Sequence, residues 1–164
     1  MQPLTCKSFA KLNLCLHILD RRKDGYHNLE SIFCIIDFYD RLSFQKNNST
    51  KINFKTNSNE IDSTYNLVTK AYDLISSLYD IEGIDIFLDK KIPIGSGLGG
   101  GSSNAAVTLL ALNEIFKLNM SKDNLLKISK EIGSDVPFFI NGGAAYISGK
   151  GEIINSISID KKYF

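Results

Sequence analysis

The chain has 164 residues, of which 43% are hydrophobic and 23% are charged, and its formal net charge is +1. This length supports one substantial core, so we expect a single domain spanning residues 1–164. The near-neutral charge argues against nucleic-acid partners and acidic membranes, both of which attract basic proteins. The three cysteines form no Cys-x-x-Cys pair, and no run reaches the ~20 apolar residues of a membrane span. With no apolar leader at its start, the chain is predicted to be cytoplasmic.

Alternating apolar residues predict antiparallel strands in the first third of the chain. Four candidate strands follow one another at residues 5–18, 29–38, 41–44 and 52–54. The first is interrupted near residue 10. Short turns are expected between them, and the polar segment at 45–64 is the least specified region.

Helical periodicity dominates the rest of the chain. Helices are expected over residues 66–79, 105–116 and 122–132, and strands over 84–92, 144–147 and 153–159. Ser121 is the predicted N-cap of the third helix, and Gly133 is its predicted C′ residue, a position that commonly adopts the left-handed conformation. Together these elements predict an α+β fold with mostly antiparallel strands and three helices.

Residues 93–104 (PIGSGLGGGSSN) hold five glycines and three serines between a predicted strand and a predicted helix. Glycines let the backbone approach a polyanion closely, and the unpaired N–H groups and positive dipole end of the following helix receive its charge. The sequence therefore predicts a phosphate-binding loop. A flexible linker is the alternative, but linkers do not usually pass straight into an apolar helical stripe.

Other known motifs fit this segment poorly. The dinucleotide-binding pattern would need an acidic residue about twenty positions later at the end of a strand, where this chain has a predicted turn between helices. A Walker loop would close with Lys-Ser or Lys-Thr, and a serine-hydrolase elbow would read Gly-x-Ser-x-Gly. The two histidines form no metal-ligand spacing, so metal ligands are not predicted.

Three polar sites elsewhere are candidates for chemistry, each with a structural alternative. Lys11 and Asn13 project from the same face of a strand, where a polar pair costs stability unless it is partnered; alternatively, this is the wet face of an edge strand. Asp135 follows a helix, where Asp commonly serves as a turn residue. Tyr26 and His27 place an aromatic ring and an imidazole at an otherwise ordinary turn.

The glycine-rich segment resembles the ATP-binding signature of the GHMP small-molecule kinases. Five further segments are similar to the branch of this family that phosphorylates a cytidine diphosphate-linked methylerythritol in the non-mevalonate route to isoprenoids. They are AKLNL at 10–14, RKDGYH at 22–27, NL at 66–67, GSDVPFF at 133–139 and GKGE at 149–152. The resemblance implies the GHMP-kinase N-terminal fold, an α+β domain like the second domain of ribosomal protein S5, with helices packed on a mostly antiparallel sheet.

The resemblance also implies roles for individual residues. Asp135 and Lys11 would be catalytic, with Asp135 accepting the proton of the substrate 2-hydroxyl and Lys11 keeping that carboxylate ionised. Asn13, Tyr26 and His27 would bind the substrate, with its cytidine stacked on Tyr26. ATP and Mg²⁺ are the implied cofactors, and Ser103 is by analogy a candidate magnesium ligand. The implied ATP-binding residues are Asn66, Leu67 and Lys90 near the adenine, and Pro93, Gly95, Ser96, Gly97, Leu98, Gly99, Gly100, Gly101, Ser102 and Ser103 around the phosphates.

Members of this family continue past the region matching residue 152 with a C-terminal domain, which we expect to be missing from this chain. Its pocket would then lie open to water, and the uncovered surface could drive self-association. Two alternative functions stay open at this point. One is a GHMP kinase for a different small alcohol, and the other is an ATP-binding module without catalysis.

Overall fold

A computed structural model of the protein describes residues 2–158. Strands and helices alternate along this part of the chain, and together they confirm the predicted α+β fold. In order they are β1 (Leu4–Arg21), β2 (His27–Lys46), β3 (Ile52–Thr56), α1 (Leu67–Leu78), β4 (Ile84–Asp89), α2 (Gly100–Ile115), α3 (Lys122–Ile132), α4 (Val136–Asn141), β5 (Ala144–Ser148) and β6 (Ile153–Ile157).

The strands form one six-stranded sheet. Its order is β3-β4-β2-β5-β6, and β1 pairs with β2. The paired strands run antiparallel except β3 and β4, which run parallel. The mostly antiparallel sheet is therefore confirmed. Strand β2 holds it together, because one half of β2 pairs with β4 and the other half with β5.

The two strands predicted at 29–38 and 41–44 are one continuous strand, β2. Tyr39 and Asp40 pair with Phe9 and Ser8 of β1, so the short turn predicted between the two segments is wrong. A carboxylate inside a strand suggests a turn when only the sequence is known. Here Asp40 is fully buried and bonded to neighbouring elements. The interruption predicted near residue 10 is confirmed as a register shift after Phe9.

The main hydrophobic core lies between the sheet and the helices. Leu42 and Ile86 of the sheet are buried together with Ile75 of α1 and Leu109 and Leu112 of α2. Burying one such side chain contributes about 1.5–3 kcal/mol relative to leaving it exposed. This packing fixes α2, the helix that follows the glycine-rich loop.

The structure departs from the predicted helices at three points. Helix α2 begins at Gly100, inside the glycine-rich segment and before its predicted start at residue 105. Helix α4 is an additional, fourth helix; its six residues are too few to show a helical period, and Pro137 in its first turn is compatible with a helix start. Gly133 is the C-cap of α3 and not its C′ residue as predicted, and its φ of −178° is extended. The chain turns directly into α4 there, because the Val136 N–H donates to the Gly133 carbonyl oxygen at 3.3 Å.

The outer half of β1 lies away from the main core. Every residue of β1 from residue 12 onward is exposed or half-buried. Leu14, Leu16 and Ile18 are 49%, 53% and 69% exposed, so this apolar stretch faces solvent. At the other end of the sheet, β6 confirms the last predicted strand up to Ile157, and its predicted end at Ile159 lies outside the described residues. Within residues 2–158, the helices are all too short or too polar to cross a membrane.

Candidate active site

The loop between β4 and α2 depends on its glycines. Gly95, Gly97 and Gly99 have φ of +71°, +75° and +71°, a region that glycine adopts without a steric penalty. At Gly99 an added Cβ would lie 2.7 Å from Cζ of Phe139, so space as well as conformation requires glycine there. The loop therefore presents backbone, rather than side chains, to its surroundings.

Helix α2 starts directly after this loop. Its N-cap is Gly99, and within residues 2–158 its first turn receives no hydrogen bond from a capping side chain. The first turn also contains no acidic residue. Unpaired N–H groups and the positive end of the helix dipole favour an anion at such a start. The loop and the helix start together suit the oxygens of a phosphate.

A cavity of about 650 Å³ lies against the loop and α2. Its volume falls within the roughly 300–1,000 Å³ typical of small-molecule sites. The lining brings together most residues that the sequence analysis singled out for ATP and for catalysis: Lys11, Asn66, Leu67, Lys90, Pro93, Gly95, Ser96, Gly97, Gly99, Gly100, Gly101, Ser102 and Asp135.

Lys11 and Asp135 meet at this cavity although they are distant in sequence. The Lys11 Nζ lies 3.7 Å from the Asp135 Oδ2, and Lys11 is only 5% exposed. The same ammonium donates to the Asn13 Oδ1 at 2.6 Å and lies 4.3 Å from the Phe33 ring centroid. The Lys11 N–H donates to the Leu98 carbonyl oxygen at 2.9 Å, which ties β1 to the loop. Strand β1 thereby holds a cation beside a carboxylate and the glycine-rich loop.

Asp135 stands at the N-cap of α4, yet in the described part of the chain its carboxylate does not cap that helix. Its side chain is 33% exposed and receives a long hydrogen bond from the Ser134 Oγ at 3.4 Å. A purely structural turn or cap residue would use its oxygens on nearby N–H groups. The Asp135 carboxylate is therefore available to a molecule in the cavity.

Five of the predicted residues lie outside the cavity lining. Asn13 reaches the site only through Lys11, and Leu98 contributes its carbonyl to β1. Ser103 is 1% exposed, and its Oγ accepts a hydrogen bond from the Ser8 Oγ at 2.8 Å. The hydroxyl of Ser103 is thus hydrogen-bonded in the protein interior. The remaining two residues are Tyr26 and His27.

Tyr26 and His27 lie at the far end of the β1–β2 hairpin. Tyr26 is 62% exposed, and the Lys150 ammonium lies 4.9 Å from its ring centroid. His27 pairs with Arg21 beside the turn, whereas Lys11 pairs with Ile35 in the middle of the hairpin. The catalytic candidates and the cytidine-binding candidates are therefore separated along the same two strands.

Sequence reasoning missed part of the cavity wall before α1. The Thr64 and Tyr65 N–H groups donate to the Asp62 carboxylate at 2.6 and 2.9 Å and lower the pKa of that carboxyl. The Asn66 amide donates to the Asp62 carbonyl at 2.8 Å, while the Asn66 Oδ1 caps α1. An Asp two residues before a Thr is a recognisable turn signal, and it locates this wall. The wall also includes Ile61 and Tyr65.

The sequence and fold have known relatives. Residues 66–143 match a family model described as "GHMP kinases N terminal domain". The 4-diphosphocytidyl-2-C-methyl-D-erythritol kinase of Francisella philomiragia is 42% identical over 159 residues, which cover 96% of this chain and 58% of the relative. The protein of that name from Burkholderia thailandensis is 41% identical over 160 residues, which cover 97% of this chain and 55% of the relative. The chain thus spans somewhat over half the length of these relatives.

Solved structures agree with the sequence matches. A crystal structure of 4-(cytidine 5'-diphospho)-2C-methyl-D-erythritol kinase superposes with a TM-score of 0.85 at 34% identity, covering 95% of this chain and 56% of that one. The mevalonate kinase of Methanococcus jannaschii superposes with a TM-score of 0.72 at 16% identity, covering 97% and 57%, which shows a common fold. The chain is thus similar in sequence to GHMP kinases, and it has the fold of their N-terminal domain.

Proposed function

We propose that this chain is the ATP-binding and phosphoryl-transfer part of a kinase that phosphorylates the 2-hydroxyl of 4-diphosphocytidyl-2-C-methyl-D-erythritol, a step in isoprenoid precursor biosynthesis. The observation that carries the proposal is the Lys11–Asp135 pair at 3.7 Å, on the wall of the cavity formed by the glycine-rich loop. A base and a cation beside a phosphate-binding loop are the groups that transfer to an alcohol requires.

In this proposal the ATP phosphates lie against the backbone from Gly95 to Ser102. The adenine lies toward Asn66 and Leu67, where Ile61 and the ring of Tyr65 add apolar surface. Phosphoryl transfer depends mainly on positioning and on neutralising charge, which backbone N–H groups and a buried ammonium supply without reorganisation.

Asp135 accepts the proton of the substrate 2-hydroxyl while that oxygen forms a bond to the γ-phosphorus. The bond between the γ-phosphorus and the β,γ-bridging oxygen breaks, and ADP leaves with the electron pair. A neighbouring ammonium favours the ionised form of a carboxylate, so Lys11 keeps Asp135 able to accept a proton. Lys11 also offsets negative charge on the transferred group.

Mg²⁺ is the expected companion of ATP. Within residues 2–158 no group of three or more His, Cys, Asp or Glu residues could hold a metal. Mg²⁺ is usually bound by one or two protein oxygens together with substrate phosphates and water. Ser102, on the cavity wall, would supply one such oxygen from its hydroxyl; Ser103 is unsuited because its hydroxyl is buried against Ser8. When bound, the ion neutralises phosphate charge.

The position of Tyr26 supports a long, nucleotide-linked substrate. Its ring is largely exposed, which leaves a face for stacking, and it stands at the turn of the hairpin, whereas Lys11 lies in the middle. Register shifts after Asn13 and after Ile18 interrupt the strand between Lys11 and the turn. Such irregularities bend a strand. A substrate that contacts both places must extend well beyond its reacting alcohol, unlike mevalonate or homoserine.

Thermal protection of the chain tests the proposal. Ligands that bind only the folded state raise its melting temperature by mass action. We expect clear protection by ATP with Mg²⁺ and weaker protection by 4-diphosphocytidyl-2-C-methyl-D-erythritol, with little effect of mevalonate or homoserine. Protection by mevalonate or homoserine instead would contradict the assigned substrate, and failure of ATP to protect would contradict the kinase function.

A second candidate function is ATP binding without transfer. The chain spans 55–58% of the length of the relatives. In our proposal the part that it matches is the N-terminal domain, and the rest of the relatives' length forms a C-terminal domain that closes the cavity. The two candidates are distinguished by measuring ADP formation before and after a relative's C-terminal half is added. ADP formation that appears only after the addition supports phosphoryl transfer by the complete protein. ATP binding without ADP formation in both cases supports binding alone.

We also propose that the chain on its own associates with a second copy through the outer part of β1. Leu14, Leu16 and Ile18 present an apolar row there. In the described part of the chain β1 pairs only with β2, which leaves its outer edge open to another strand. Open edges and contiguous apolar surface both favour association.

A further inference from the structure

Asp40 is a buried carboxylate that the proposed reaction does not use. It lies in β2 at 0% exposure, and it contacts the segments at both ends of the glycine-rich loop. Burying a charge is unfavourable unless it is paired and hydrogen-bonded. Its partners therefore indicate what the charge holds in place.

One oxygen of Asp40 fixes the segment that enters the loop. The Asp40 Oδ1 accepts hydrogen bonds from the N–H groups of Lys91 and Ile92 at 2.7 and 2.8 Å. These two residues directly precede Pro93, where the loop begins. The backbone at the start of the loop is thus tied to β2.

The other oxygen of Asp40 fixes the helix that leaves the loop. The Asp40 Oδ2 accepts from the Asn104 Nδ2 at 2.9 Å and from the Lys90 Nζ at 2.8 Å. The Asn104 amide also donates to the Ser8 Oγ at 2.9 Å, and that hydroxyl donates to the Ser103 Oγ at 2.8 Å. Two residues of α2 are in this way joined to β1 and β2 beneath the loop.

Lys90 belongs to the same group of contacts. Its ammonium donates to Asp40 and to the Ile92 carbonyl, and its side chain is 8% exposed. A Cβ added to Gly100 would lie 3.0 Å from this ammonium, so the Lys90 cation sits under the start of α2. The carboxylate of Asp40 offsets that charge inside the protein.

We propose that Asp40 is a positioning residue that sets the distance between the two ends of the phosphate-binding loop, with Ser8, Lys90 and Asn104 as its partners. Lys90 then acts as an anchor of the loop, rather than through its ammonium on the adenine. The proposal rests on the proposed ATP binding. It predicts that damage to this group of contacts weakens binding of the phosphates selectively, while adenosine, which lacks phosphates, is bound as before.

The test compares ATP and adenosine binding to the chain by calorimetry in the presence of Mg²⁺. Asp40→Asn keeps the size of the side chain but removes its charge. It also replaces one accepting oxygen with an –NH₂ group, which cannot accept from the Lys90 or backbone donors. We expect the Kd for ATP to rise at least about tenfold, the effect of losing one charge-assisted hydrogen bond, with the Kd for adenosine changing less than about twofold. Equal weakening of ATP and adenosine, or no weakening of ATP, overturns the proposal.

A matched pair of milder variants tests the same proposal if Asp40→Asn does not fold. Ser8→Ala and Ser129→Ala each remove a hydroxyl at 0% exposure, and Ser129 lies in α3, where its Oγ donates to the Leu126 carbonyl. We expect Ser8→Ala to raise the Kd for ATP about threefold relative to adenosine and Ser129→Ala to leave that ratio unchanged. Identical ratios in the two variants overturn the proposal. If the unmodified chain binds neither ligand, the proposed kinase function fails instead.

Discussion

The middle and the turn of the β1–β2 hairpin are supported very differently. In the middle, Lys11 is 5% exposed and is held by Asn13, Phe33 and the Leu98 carbonyl beside the loop. At the turn, Tyr26 is 62% exposed, and its ring contacts the ammonium of a surface lysine, Lys150. The part that we propose binds ATP, here called the nucleotide end, is thus built into the core of this chain. The part that we propose binds the cytidyl substrate, here called the substrate end, lacks comparable packing.

This difference predicts which properties the chain has by itself. ATP binding depends on residues fixed by buried contacts, so it should survive in the isolated chain. Recognition of the second substrate depends on exposed residues, so it should be weak until another surface covers them. Each experiment below breaks one end and asks whether the other responds.

The largest effect is expected for Asp135→Asn at the nucleotide end. Removing a general base should lower the rate of phosphoryl transfer by about 10²–10⁴-fold, while the neutral amide leaves ATP binding nearly intact. ADP formation and ATP calorimetry give the two values. Asp123→Asn, an exposed residue at the start of α3, serves as the control. A loss of ATP affinity as large as the loss of rate would make Asp135 a structural residue.

Gly99→Ala should damage the same end by a steric route. A methyl group would lie 2.7 Å from Cζ of Phe139 at a φ of +71°, and such strain costs on the order of 1–3 kcal/mol. Gly25→Ala is the matched control, since Gly25 has a φ of +86° with open space around its Cβ position. Thermal melts and ATP titrations should show Gly99→Ala weakened in both and Gly25→Ala unchanged in ATP affinity. Equal ATP affinities would argue against close packing of the loop.

Tyr26→Ala should affect only the substrate end. Loss of one stacked base is expected to weaken the cytidyl substrate by roughly 1–3 kcal/mol. ATP affinity should not change, because Tyr26 lies outside the cavity lining. Tyr39→Ala, which removes a tyrosine ring elsewhere on the same hairpin, is the control. If ATP and the cytidyl substrate weaken equally, the two ends are not independent.

Leu16→Lys should reduce self-association of the chain. The side chain of Leu16 is 53% exposed within the apolar row, so a charge there disfavours contact with a second copy. Leu78→Lys, at a leucine 60% exposed at the end of α1, is the matched control. Sedimentation should show more monomer for Leu16→Lys only. A monomeric unmodified chain, or equal behaviour of the two variants, would contradict the proposed contact.

The smallest effect concerns acid stability of the cavity wall. Hydrogen bonds from Thr64 and Tyr65 lower the pKa of Asp62 in the folded state, so its contribution to stability is present above its unfolded pKa and is lost as pH falls through the folded value. Asp62→Asn should therefore make the stability of the chain slightly less dependent on pH in the acid range. If the melting temperatures of the two proteins change with pH in the same way, Asp62 does not have this role.

The sequence predicted those parts that depend on local pattern. Alternation located the strands, and Ser121 marked the start of α3. The glycine-rich segment was expected to precede α2, but α2 begins within it at Gly100. Helix α4 was missed because six residues show no period. Asp40 was misjudged because its partners at positions 90–92 and 104 are brought to it only by the folded sheet and helix.

The exposure of the leucines in β1 also could not be predicted from the local sequence pattern. Alternation along Leu12, Leu14 and Leu16 predicts a strand, but it does not say whether anything covers that strand. The same limit applies to the site. Motif resemblance named Lys11 and Asp135, whereas their 3.7 Å approach follows from the long-range packing of β1 against the loop and α4.

The most direct measurement is a structure of the chain with a non-hydrolysable ATP analogue and Mg²⁺. The account predicts that the triphosphate lies along the backbone of residues 95–102, with its terminal phosphate beside the Lys11 ammonium and facing Asp135. A triphosphate bound elsewhere, or a terminal phosphate directed away from Asp135, would contradict it.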